Sequence, residues 1–398
     1  MKRILATILT GVMLMTASAC AETATPSYEK VNNDVINVTP TDVFGEHSIT
    51  ILGDSMPHGA CTEDITTKSW PALLKQAING KSGDNNYGFT SIEGTLWSNP
   101  MSYEMHRFPE TEEGFKNPGE SGDGWTEYRT AELLGTKGLG SSKKGATLTL
   151  SPQKTFKFFC VYYQAGPDYG TFDVKNADGD VILSVDATAE EANFARTEML
   201  DMSALGEENQ IVLEATSEKE IIFTGIGYYD TPGGVVVSNY SNGGLQLAGT
   251  GKTASGETTG LDTKFLEMAA KSGTLVFSLG YNDAYFSSDM DLFAEKIDLL
   301  IACANENGTK VIVNDVVWDT SGGDRKWLAM HPKIQKVKDQ LKRLAEETNG
   351  IYLDQQAICG DAILDTLGDG VHPNAEGHAM LAQSILQAMG LQEDTANE

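Results

Sequence analysis

An α/β core of parallel strands, interrupted by an all-β insertion, is the fold class this sequence predicts. Two observations predict it. From Val235 onward, short runs rich in Val, Ile and Leu alternate with helical segments, and an earlier unit of the same kind starts at Ile49. Between about residue 99 and residue 231 the helical period almost vanishes, and short β-branched and aromatic segments replace it. Apolar strands without alternation fit a parallel sheet covered on both faces. Repeated strand–helix units imply right-handed crossovers and a three-layer α/β/α sandwich.

The core elements follow in order. Ile49-Thr50-Ile51-Leu52 reads as a strand running into Gly53-Asp54-Ser55. Trp70 to Ile78 reads as a helix, with Ser69 as N-cap and Pro71 in the first turn. Val235 to Ser238 is a strand, Asp262 to Lys271 a short helix, and Thr274 to Leu279 a strand. Leu292 to Asn305 is a helix, Lys310 to Trp318 a strand, and Ile334 to Thr348 a helix. Ile351 to Leu353 is the last strand and Ala375 to Met389 the last helix.

The insertion shows Ala146–Leu150, Thr155–Tyr163, Gly170–Lys175, Val181–Val185, Gln210–Glu214 and Glu220–Gly227 as short strands. Gly, Asp, Asn and Pro separate them, as in Ala165-Gly166-Pro167-Asp168, a spacing that suggests a β-sandwich. The expected division is residues 1–19 as a signal segment, 20–42 as a tether, 43–98 with 234–392 as the core, and 99–233 as the inserted module. Tyr87-Gly88-Phe89 is assigned to the core.

The N-terminus reads as an export signal. Lys2 and Arg3 precede an apolar run from Ile4 to Met15, which is too short to favour a membrane span. Ala17-Ser18-Ala19 fits ordinary signal cleavage. With Cys20 it also resembles a bacterial lipoprotein box, in which Cys20 would carry lipid. The chain is therefore expected outside the cytoplasm, as an envelope lipoprotein or as a secreted or periplasmic protein with no transmembrane span once mature. Acidic residues outnumber basic ones by 56 to 29, for a net charge of −27, which disfavours nucleic acid and anionic membranes as partners. An export compartment permits disulfides, and the four cysteines after Cys20 allow three pairings. Cys160 and Cys303 stand in apolar segments and read as buried free thiols, whereas a Cys61–Cys359 bridge would join two functional loops.

The chemistry sits in four blocks. A serine hydroxyl is a poor nucleophile at neutral pH and needs both a base and donors for the oxyanion. Ser55 follows a strand, where its hydroxyl would stand at the carboxyl edge of the sheet. Gly-Asp-Ser alone is weak evidence, since roughly one chain in ten of this length contains it by chance. Ser238 to Gly244 follows the second core strand, and Gly280-Tyr281-Asn282-Asp283 follows the third. Asp369-Gly370-Val371-His372-Pro373 precedes the last helix. Its Asp and His are three residues apart and project to one side, so the carboxylate can orient the imidazole.

These blocks, in this order, resemble the SGNH (GDSL-type) hydrolase family, which implies a flavodoxin-like three-layer core. The resemblance implies Ser55 as nucleophile, His372 as base and Asp369 as its orienting acid. It implies an oxyanion hole from the Ser55 N–H, the Gly243 N–H (Gly244 being the alternative) and the Asn282 side chain. No cofactor is implied, and no His/Cys/Asp spacing suggests a metal. Asp54 and Asp283 read as structural neighbours of the loops, and His58 as a rim residue. His47, His106, His331 and His378 read as structural or solvated, and Trp318 as either a core or a substrate contact.

The insertion after the serine block is similar to that of bacterial carbohydrate esterases, and Val161 to Gly170 is similar to a strand-turn of their carbohydrate-binding-like modules. The implied substrate is an acetylated polysaccharide or glycan. Three other readings stand beside it: a short-chain lipase or thioesterase, a glycan O-acetyltransferase, and a non-catalytic glycan-binding protein.

Overall fold

The computed structural model describes residues 48–83, 86–91, 103–106, 125–129, 133–152, 156–206, 210–231, 234–249, 260–286, 288–315 and 333–391. Five parallel strands form the core sheet: Ser48–Gly53, Val236–Asn239, Thr274–Ser278, Lys310–Asp315 and Ile351–Asp354. Numbered along the chain, their order across the sheet is 2-1-3-4-5. That is the flavodoxin-like order, and its switch point lies between the first and third strands. Every residue of Ser48–Gly53 and Thr274–Ser278 is buried, as expected for strands covered on both faces.

Helices cover the two faces. Trp70–Ser82 and Ala375–Ala388 pack on one side, where Trp70, Leu74, Ile78, Leu381 and Ile385 share a cluster with Ile49, Ile51 and Val276. Thr263–Ala269, Met290–Asn307 and Lys333–Glu347 pack on the other, around Leu52, Leu275, Phe277 and Val313. The predicted helix start at Trp70 matches its cap: Ser69 Oγ accepts from the Ala72 N–H at 3.4 Å, with Pro71 in the first turn. Two helices, Trp70–Ser82 and Met290–Asn307, run longer than predicted, whereas Thr263–Ala269 is shorter. Trp70–Ser82 ends only at Gly83, whose left-handed backbone (φ 74°) terminates it.

The inserted module is a β-sandwich. One sheet has five strands, in the order Tyr103–His106, Thr147–Pro152, Ile211–Ala215, Thr171–Lys175 and Val181–Asp186. The other runs Asn193–Arg196, Phe158–Ala165, Ile221–Tyr229, Lys137–Ser141 and Thr126–Arg129. All six predicted strands are present. Tyr103–His106, Thr126–Arg129, Lys137–Ser141, Asn193–Arg196 and Leu200–Asp201 were not legible, because they are short and carry Gly or charged residues.

One assignment is corrected. Tyr87–Ser91, expected in the core, pairs antiparallel with Ile221–Tyr229 and so joins the sandwich. It nonetheless packs on the core. The Phe89 ring stacks on Tyr240 with centroids 4.5 Å apart, and the Phe89 N–H donates to Ser238 Oγ at 3.1 Å. The expected Cys61–Cys359 bridge is also absent, since Cys61, Cys160, Cys303 and Cys359 are all free thiols. Cys160 is buried as expected, whereas Cys303 is only partly so. Residues 1–47, among them the signal, tether and Cys20, lie outside the described residues, as do Trp318, His331 and the predicted strand end past Asp315. Among the described residues no helix is long and apolar enough to cross a membrane.

Candidate active site

The first strand ends at Gly53, and a short helix, Ser55–His58, begins at once. Asp54 caps that helix, its Oδ1 accepting from the Met56 N–H at 3.0 Å. Gly53 is required by close approach, because a Cβ there would lie 2.0 Å from Pro57 Cγ. The turn therefore places Ser55 at the first helical position, half-buried, at the carboxyl end of the sheet beside the switch point.

The sequence separates Ser55 and His372 by 317 positions, and the fold brings Ser55 Oγ to 2.8 Å from His372 Nε2. On the far side of the ring, Nδ1 lies 2.6 Å from Asp369 Oδ2. The other carboxylate oxygen, Oδ1, accepts from the backbone N–H groups of Val371 at 2.8 Å and His372 at 2.7 Å. Partial burial works against the Asp369 charge, but these backbone bonds and the ring bond hold its carboxyl well below the usual carboxylate range. An ionised Asp369 accepts a proton-bearing Nδ1, which leaves Nε2 as an acceptor for the serine hydroxyl.

The loop after the second strand is a tight turn. The Leu245 N–H returns to the Asn242 carbonyl at 3.2 Å, and Gly244 takes φ 76° at its third position. A type II turn demands glycine there. That separates the two adjacent glycines: Gly244 is explained by its backbone. Gly243 is exposed, would meet nothing within 4 Å on gaining a Cβ, and its N–H has no partner among the described residues.

Asn282 reaches the same place from the third strand. Its Nδ2 donates to Asp54 Oδ2 and to the Leu245 carbonyl, both at 3.2 Å. Asp283 anchors the neighbouring segment, accepting from the Leu247 N–H at 2.8 Å and the Ala248 N–H at 2.9 Å. Buried Lys296 donates to the Leu247 carbonyl at 2.8 Å and to that of Leu261. Burial pushes the Asp283 carboxyl up and the Lys296 ammonium down. Burial also pushes Asp54 up to about 7, with the Met56 N–H opposing the shift and the Asp283 charge adding to it. Both acids thus hold loops, as the sequence suggested.

Of the other histidines, His58 is half-buried and lowered to about 4 by burial and by the Lys137 charge. His378 is structural: it is buried, and its Nδ1 accepts from the Trp70 N–H at 3.2 Å. His106 sits in an edge strand of the sandwich, paired with Thr149. What the sequence spacing did not reveal is Cys61, 308 positions from Asp369. Its Sγ, a carboxylate oxygen of Asp369 and a ring nitrogen of His372 lie within 4.8 Å of one another. Partial burial and the Asp369 charge push the Cys61 thiol up.

Parts of the chain are similar to known esterases. Residues 226–380 match the GDSL-like lipase/acylhydrolase family model, a span that begins after the Ser55 block. An acetylxylan esterase of Geobacillus stearothermophilus is 27% identical over 186 residues, covering 42% of this chain and 83% of that protein. A structure of a peptidoglycan O-acetylesterase superposes with a TM-score of 0.57 at 15% identity, covering 91% of this chain and 94% of that one. That overlap extends the shared fold to the sandwich module as well as the core. Residues 226–380 thus carry a likeness to the GDSL-like lipase/acylhydrolase family, and the chain is a carboxylic ester hydrolase with an α/β core and an inserted β module.

Proposed function

We propose that this hydrolase removes O-acetyl groups from a polysaccharide or glycan through an acetyl-serine intermediate. The observation that carries the reading is the hydrogen-bonded chain from Ser55 Oγ through His372 to Asp369, at 2.8 and 2.6 Å. The acetylxylan esterase likeness supports the choice of acyl group and substrate class. Export of the chain by the signal in residues 1–19, either as an envelope lipoprotein with lipid on Cys20 or as a secreted or periplasmic protein, completes the reading and rests on the sequence alone.

In this mechanism Ser55 Oγ attacks the acetyl carbonyl while His372 Nε2 takes its proton. Asp369 holds the ring and stabilises the imidazolium. The oxyanion is met by the N–H groups of Ser55 and Gly243 and by Asn282 Nδ2. Asn282 must release one of its two present contacts to do so. The bond to the Leu245 carbonyl is neutral and 3.2 Å long, and a bond to a full negative charge is about twice as strong as a neutral one. Collapse expels the sugar hydroxyl, protonated by His372. Water activated by the same nitrogen then hydrolyses the acetyl-serine.

The test is turnover of p-nitrophenyl esters from acetyl to dodecanoyl by the chain lacking residues 1–20, beside Ser55→Ala. Turnover confined to short acyl groups and lost in the variant is the expected result. A preference for long chains would move the reading to a lipase or thioesterase. Turnover that survives in Ser55→Ala would remove Ser55 from the mechanism.

A further inference from the structure

Cys61 takes no part in the reaction just described, yet its thiol stands beside the base and the acid that orients it. It lies three residues beyond the helix Ser55–His58, exposed, with φ 67°. The Asp369 side chain is 46% exposed, so solvent reaches the cluster. The ligand atoms of Cys61, Asp369 and His372, all within 4.8 Å of one another, need only small adjustments to surround one small ion. Zinc holds sulfur at about 2.3 Å and nitrogen or oxygen at about 2.0–2.2 Å, in tetrahedral sites.

We propose that Cys61, Asp369 and His372 form a binding site for a thiophilic divalent cation such as Zn2+, and that its occupancy switches the hydrolase off. A thiolate, an imidazole and a carboxylate are a donor set that suits zinc, and the fourth position is left to water. The two anionic ligands balance the charge of the ion. Zn2+ deprotonates a coordinating thiol, so Cys61 loses its proton to solvent as the Zn–S bond forms. The ion takes the lone pair of His372 Nδ1, the nitrogen that faces Asp369, and the ring proton moves to Nε2. Nε2 then faces Ser55 as a donor and cannot accept its proton. No electron is transferred, and chelation reverses each step.

The inhibitory half of this proposal rests on His372 as the base for Ser55, whereas the binding half does not. Both are read in one experiment on the full chain, comparing the parent with Cys61→Ser and Cys61→Gly. Glycine accepts the positive φ at this position, so that variant keeps the backbone unstrained. Zn2+ is titrated against p-nitrophenyl acetate turnover, each protein being referred to its own metal-free rate. Co2+ is titrated separately, following the thiolate-to-Co2+ charge-transfer absorption.

We expect chelator-reversible inhibition of the parent, with the half-inhibitory Zn2+ concentration at least tenfold higher in both variants. Even groups one shell removed from a metal are worth about 10–100-fold in affinity. We expect a charge-transfer band saturating at one Co2+ per chain in the parent and absent in both variants. Equal Zn2+ sensitivity in all three proteins, or a parent without the band, overturns the proposal. Should the chain turn over no ester at all, the Co2+ band alone decides whether the site exists.

Discussion

Asp54 is fully buried one residue before the serine, and its surroundings set a pH dependence that can be tested. Its carboxyl is pushed up to about 7 from an ordinary 3.8. A carboxyl whose folded value is raised favours the native state in its protonated form. The contribution is present below about pH 4 and is lost as pH rises through about 7. The folded chain should therefore lose stability, of order a few kcal/mol, across that window. Asp54→Asn removes the proton equilibrium while leaving an oxygen to accept from the Met56 N–H. Urea midpoints of the parent should fall from pH 4 to 7 more steeply than those of the variant. Parallel midpoints would show that Asp54 is ionised in the folded chain throughout. Asp369 has the opposite sense: its lowered carboxyl contributes stability that is lost only as pH falls below the ordinary carboxylate range.

At the level of single elements, the turn Asn242–Leu245 separates conformation from chemistry. Gly244 meets a backbone requirement, with φ 76°, whereas Gly243 has open space around it and an unpartnered N–H among the described residues. If Gly243 supplies an oxyanion donor, Gly243→Ala should keep activity within a few-fold, because it retains the N–H and meets no neighbour. Gly243→Pro removes the N–H at the turn position where proline is favoured, so the chain should still fold. It should lose about 10²–10³ in kcat with little change in KM, the usual cost of one oxyanion donor. Full activity in the proline variant would assign the donor elsewhere. The strand Phe158–Ala165 shows a second kind of element-scale economy. Phe159 and Val161 face the interior of the sandwich, while Cys160 and Tyr162 face the hydrolase core. A period-two strand buried on both sides reads in sequence as a continuous apolar run, which is why its double role was invisible there.

That strand bears on the whole molecule. Ile221–Tyr229 beside it is buried at every residue, and Tyr229 and Tyr162 join Phe89, Tyr240 and Leu245 in one core cluster. The Tyr162 and Tyr229 hydroxyls lie 3.1 Å apart inside it. The sandwich is thus a packed layer of the hydrolase and shares its core. Excising residues 99–233 and closing the gap with a flexible linker would expose that face. A deletion chain expressed this way should be insoluble, or should bind a hydrophobic dye without a cooperative unfolding transition. A soluble, cooperatively folding and active deletion chain would show that the module is an appendage.

The sequence by itself determined the elements and the candidate chemistry. Apolar runs at strand length, helix starts such as Ser69 with Pro71, and the Asp369–His372 spacing are local properties, and local periodicity and sterics decide them. By its resemblance to the SGNH family it also pointed to Ser55, Asn282 and the glycine pair as candidates for one site, in loops that follow parallel strands. Only the tertiary structure decided which strand pairs with which. Tyr87–Ser91 could have joined either sheet on composition, and hydrogen bonds to Ile221–Tyr229 assign it to the sandwich. Distance along the chain likewise hid the thiol of Cys61 beside Asp369 and His372, and the two contacts that hold the Asn282 amide. Contacts of that kind depend on where remote segments stop in space, and no local pattern of residues encodes it.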